Sequence, residues 1–95
     1  MDFFLLNLRD TLEAINKLID NKVTIVNCKR IRRCQQIKSS NRSKINFIWR
    51  SLNYLEQEGI LEPNGATKPK NYKIKNNKKI DVDDVISQIK RIRTD

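Results

Sequence analysis

Residues 43–61 read SKINFIWRSLNYLEQEGIL, and the architecture of the chain follows from them. Ile45, Ile48, Trp49, Leu52 and Leu55 recur at intervals of three and four, the spacing that lines one face of an α-helix. Trp49 falls between Ile45 and Leu52 on that stripe and is expected in the core. Gly59 stands where a helix wants a left-handed residue to stop, and Ile60-Leu61 then opens an extended segment. A long helix, a sharp stop and a strand are therefore predicted in that order.

Upstream, Ile37-Lys38-Ser39-Ser40-Asn41 is a polar break rich in capping residues. Before it, residues 27–36 suit a short helix capped by Asn27, with Cys28, Ile31 and Cys34 or Gln35 inward and Lys29, Arg30, Arg32 and Arg33 outward. The two cysteines read as small core residues; their spacing of six places them almost two turns apart, too far for a disulfide. Without histidine, the chain has too few good ligands for a zinc site. Val23-Thr24-Ile25-Val26 is a β-branched run that suits a brief strand at 23–26. A first helix is predicted over residues 1–20, capped by Asp2 and lined by Leu5, Leu8, Leu12, Ile15, Leu18 and Ile19, with Asn21 at its C-terminal turn.

Downstream, residues 60–75 suit a hairpin, because Tyr72 and Ile74 alternate with Lys73 and Lys75 and the middle is dense in turn formers. Residues 81–93 suit a last helix. Asp81 can cap it, Asp83 and Asp84 sit in its first turn, and Lys90, Arg91 and Arg93 sit in its last, as the helix dipole favours. One α+β, mostly helical domain over residues 1–95 is the expectation, since a chain this short supports a single core.

The formal net charge of +9 is unevenly placed. Residues 21–50 carry nine basic and no acidic side chains, and residues 63–80 carry six basic and no acidic ones. Residues 51–62 are purely acidic in their charge, and both ends are mixed. Like charges crowded in this way repel, and a polyanion relieves them with release of counterions, so a nucleic acid is the favoured partner. A membrane surface is disfavoured, because neither basic block carries the apolar stripe plus basic face of an interfacial helix. No signal-peptide pattern and no run of about 18 apolar residues is present, which leads to an expectation of a cytoplasmic, nucleoid-associated protein.

Helix, short strand, helix, turn, helix and hairpin is an order that resembles the winged helix-turn-helix DNA-binding family. The resemblance covers Val23 to Lys75, with residues 27–58 as the helix-turn-helix and residues 60–75 as the wing. It is carried by Ile48, Leu52, Leu55, Glu56, Gly59, Ile60 and Leu61; the last helix is an addition to the pattern. One departure is visible. If helix 2 ends at Gln36 and helix 3 begins after Ser43, the turn exceeds the roughly three or four residues of a tight motif. A start at Ser40 or Asn41 shortens it.

The resemblance implies that helix 3 enters the major groove of double-stranded DNA by its N-terminal end. Arg50 and Asn46 are then the candidate readers of base edges, with Asn53 on the same side and Arg42, Ser43, Lys44 and Phe47 around the helix start. Lys29, Arg30 and Arg33 are candidate phosphate contacts, and Lys68 and Lys70 at the wing tip reach an adjacent groove or backbone. A transcription regulator is the simplest role. An architectural or plasmid-partition protein that coats DNA, and a winged-helix protein-interaction module, are the alternatives.

Helices 1 and 4 carry surplus apolar positions. Phe3, Phe4, Leu6, Val85, Ile89 and Ile92 either form a homodimer interface or let helix 4 pack on helix 1 within one chain. No cofactor and no enzymatic activity are expected, because no histidine and no glycine-rich phosphate loop is available.

Overall fold

The computed structural model describes residues 3–67, 70–75 and 78–93, with side chains left aside at 66, 67 and 91–93. In chain order the elements are α1 (Phe3–Asp20), β1 (Ile25–Val26), α2 (Cys28–Cys34), α3 (Arg42–Gln57), β2 (Leu61–Thr67), β3 (Lys70–Ile74) and α4 (Val82–Arg93). The strands form one antiparallel sheet in the order β1-β3-β2. The protein is thus α+β and mostly helical, in an arrangement compatible with a winged-helix-like topology.

Three helix ends share one construction. Gly59, at φ +76°, follows the last turn of α3; its N–H donates to the Glu56 carbonyl, and the Ile60 N–H donates to that of Leu55 at 2.9 Å. This paired closure satisfies carbonyls that a helix end leaves open. The same pattern closes α1 with Lys22 at φ 62° and α2 with Gln36 at φ 58°. Val23 N–H returns to Leu18 O, and Ile37 N–H returns to Arg32 O, both at 2.9 Å. These closures trim the expected elements. Val23 is spent on ending α1, so β1 begins only at Ile25. Gln36 in a left-handed conformation cannot extend α2, which stops at Cys34. Lys22, rather than Asn21, takes the left-handed position.

Asn27 caps α2 by accepting from Arg30 N–H at 2.8 Å, and its amide also donates to Asn71 Oδ1 on β3 at 3.0 Å. Asn41 caps α3 through Lys44 N–H, so the helix starts at Arg42. Residues 35–41 separate α2 from α3, which keeps the turn longer than a tight motif has. Asp81 caps α4 through Asp84 N–H at 3.0 Å. The proposed capping residue Asp2 lies outside the described residues.

The core is built on α1. Leu8, Leu12 and Ile15 are fully buried with Val26, Ile31, Leu52, Leu55, Leu61, Tyr72 and Ile74. One face of β3 contributes, as the alternation of buried Tyr72 and Ile74 with exposed Lys73 and Lys75 requires. On β2 the pairing slips between Pro63 and Thr67, with Gly65 at φ +68° inside the irregularity.

α4 packs on α1 within the chain, and this corrects part of the expected dimer surface. Val85 and Ile89 are 6% and 3% exposed, because with Ile86 they complete the core. The Asn16 side chain on α1 fixes the approach to α4. Its amide donates to Ile80 O at 2.9 Å and its oxygen accepts from Ile80 N–H at 2.8 Å. Phe3 and Leu6 stay exposed at 63% and 44%, whereas Phe4 is half-buried; the Ile92 side chain lies outside what is described.

Candidate nucleic-acid interface

α3 buries Ile48, Ser51, Leu52 and Leu55. Ser51 can occupy the core face because its hydroxyl donates back to the Phe47 carbonyl at 2.7 Å and is thereby satisfied. Including residue 51 rotates the buried stripe away from position 49. Trp49 is accordingly 38% exposed, which corrects the expectation that it is core. Its place among the apolar residues at three-and-four spacing concealed this, and the small hydroxyl three residues after Ile48 was the available signal.

The outward side of α3 presents Arg42, Ser43, Lys44, Asn46, Arg50 and Asn53, all exposed, with Phe47 half-buried at its edge. No acidic residue occurs between Arg42 and Leu55. Arg42, Ser43, Asn46 and Asn53 make no side-chain hydrogen bond or ion pair with the described residues, so their polar groups are available to a ligand. On α2, Lys29 and Arg33 are likewise exposed and uncommitted among the described residues.

Four candidates carry structural duties. Arg30 donates to the Ile25 carbonyl of β1, and Lys44 Nζ donates to Asn7 Oδ1 on α1 at 3.1 Å. The Arg50 guanidinium lies over the rings of Phe4 and Phe47, 5.4 and 5.5 Å from their centroids, which restrains a long side chain while leaving it exposed. Phe4 in turn meets Tyr54 edge to face at 6.1 Å. Lys70 departs furthest from its expected role. Its ammonium sits 2.8 Å from Glu56 Oε2 and 5.3 Å from the Tyr72 ring centre, so it ties β3 to α3 instead of projecting from a hairpin tip. The hydrogen bond to Glu56 holds its pKa above the usual lysine value. Lys68, the other tip candidate, lies outside the described residues.

Between α3 and the hairpin, Trp49, Arg50, Asn53, Lys70 and Tyr72 line an open groove of about 330 Å³. Tyr72 forms its floor, buried to 1% exposure, and burial pushes its phenol pKa up. Burial likewise raises the Cys28 thiol, a residue of the core and not of this surface.

The chain matches no family model, no curated protein and no solved structure. Among the described residues, no three His, Cys, Asp or Glu side chains gather to hold a metal ion, and no helix is long and apolar enough to cross a membrane.

Proposed function

We propose that this protein binds double-stranded DNA with the outward face of α3 in the major groove, acting as a winged helix-turn-helix transcription regulator. The observation that carries this is the exposed, carboxylate-free α3 surface of Arg42, Asn46, Arg50 and Asn53 beside the uncommitted Lys29 and Arg33 of α2. Arginine and asparagine are the side chains suited to guanine and adenine edges, and the α2 cations suit flanking phosphates. The hairpin, free of acidic residues from Pro63 onward, supplies the wing, with its Lys70 committed to holding that wing against α3. In this reading the long turn over residues 35–41 changes how α2 approaches the backbone.

Selection from a pool of random duplexes, followed by binding titrations in increasing salt, tests the proposal. Affinity should fall steeply as salt rises. Arg50→Ala or Asn46→Ala should cost about 1–3 kcal/mol on the selected duplex and much less on random DNA, whereas Lys29→Ala should weaken both alike. Failure to bind any duplex at low salt refutes the proposal and leaves a protein-interaction module. Extended cooperative footprints, in place of one bounded site, assign the architectural or partition role. A homodimer in this reading rests on exposed Phe3 and Leu6 of α1, since Val85 and Ile89 are taken up inside the chain. Sedimentation of Leu6→Glu against the parent chain checks it.

A further inference from the structure

The groove between α3 and the hairpin differs in character from the rest of the basic surface. Its one lysine, Lys70, is neutralised by Glu56 and covered on one side by Tyr72. Arg50, at its edge, rests on Phe4 and Phe47 on the α1 side. What remains uncommitted in the groove is the indole of Trp49 and the carboxamide of Asn53. The two lie four residues apart on α3 and so stand one above the other on a single helix face. Trp49 is one of only three large apolar side chains exposed among the described residues, and of these it alone lies on α3.

Apart from Arg50 at its edge, this patch offers no unpaired charge and is part-apolar, so its Trp49–Asn53 side is poorly suited to phosphates, which call for positive charge. It is suited to base edges. In the major groove an asparagine carboxamide pairs with adenine N6 and N7, and an apolar side chain meets the 5-methyl group of thymine. We propose that Trp49 and Asn53 form a reading pair for adenine–thymine steps, with Asn53 hydrogen-bonding an adenine edge and the Trp49 indole against a thymine methyl. This rests on the DNA-binding reading above and adds to it the base composition of the preferred site and a contact residue.

Three duplexes of a few helical turns supply the test: alternating adenine–thymine, the same sequence with uracil for thymine, and alternating guanine–cytosine. Binding is followed by anisotropy of end-labelled DNA and by emission of Trp49, the only tryptophan in the chain. The adenine–thymine duplex should bind roughly tenfold more tightly than the guanine–cytosine one. It should quench or shift the indole emission, and uracil substitution should weaken binding several-fold. Trp49→Ala should erase the thymine–uracil difference, Trp49→Phe should keep it, and Asn53→Ala should erase the preference over guanine–cytosine. Circular dichroism melts confirm that each variant is folded. Because uracil lacks only a major-groove methyl, a preference arising in the minor groove leaves the thymine–uracil ratio at one and overturns the inference. Equal binding of all three duplexes with unchanged indole emission also overturns it while leaving DNA binding intact. Binding to none of them at low salt removes the DNA-binding reading itself.

Discussion

At the level of single residues, the three left-handed helix ends are not equivalent. Gly59 adopts φ +76° without steric cost, whereas Lys22 and Gln36 hold φ 62° and 58° with a Cβ atom in a region that disfavours one. Space around Gly59 is open, with nothing within 4 Å of an added Cβ, so substitution there costs conformation alone. Gly59→Ala should therefore destabilise the protein by about 1 kcal/mol, and Lys22→Gly should stabilise it by a fraction of that, both read from urea unfolding. Opposite signs for the two changes are the diagnostic result. Gly59 was legible in the sequence because glycine advertises its conformation. Lys22 and Gln36 were not, since neither residue type favours it and the requirement comes from where the following segments must go. Trp49 was misplaced for a related reason: periodicity locates a helix face to within one neighbouring position, and only the satisfied hydroxyl of Ser51 settles which side is inward.

At the level of elements, the four helices were legible from apolar spacing and capping residues; Asn27 and Asp81 cap where they were expected to, and Asn41 is the one of several capping residues in the break that caps α3. What holds the elements to one another was not. The Asn16 bonds to Ile80 span 64 positions, and asparagine in the middle of a helix gives no sign of a distant partner. With both backbone groups of Ile80 bound to it, this side chain fixes the entry to α4. Asn16→Ala should lower stability by roughly 1–3 kcal/mol and raise amide exchange in α4 more than in α3. Uniform exchange across both helices excludes a local role. Lys70 illustrates the same limit, since its partner Glu56 lies on another element and the acid-free run around it suggested a free cation.

For the whole molecule, the distribution of charge was legible in full, because it needs no knowledge of the fold. Its consequence for stability has a definite sign. Ion pairs such as Arg9–Asp83 and Lys79–Asp20 are exposed and contribute little, so repulsion among the basic blocks is the larger long-range effect. Screening relieves repulsion, and moderate sodium chloride should raise the melting temperature of the free protein while it weakens binding to duplex DNA. A melting temperature that falls over the same range contradicts this account.

The slip in pairing on β2 bears on how the protein behaves when crowded. In the order β1-β3-β2 the two outer strands are β1, only two residues long, and β2, which carries Pro63 and the irregularity around Gly65. A proline lacks an N–H to offer a neighbouring strand, and a broken register offers no straight ladder to copy. Neither rim of the sheet can template a second chain. At high concentration the protein is thereby protected from fusing into fibres through its own sheet.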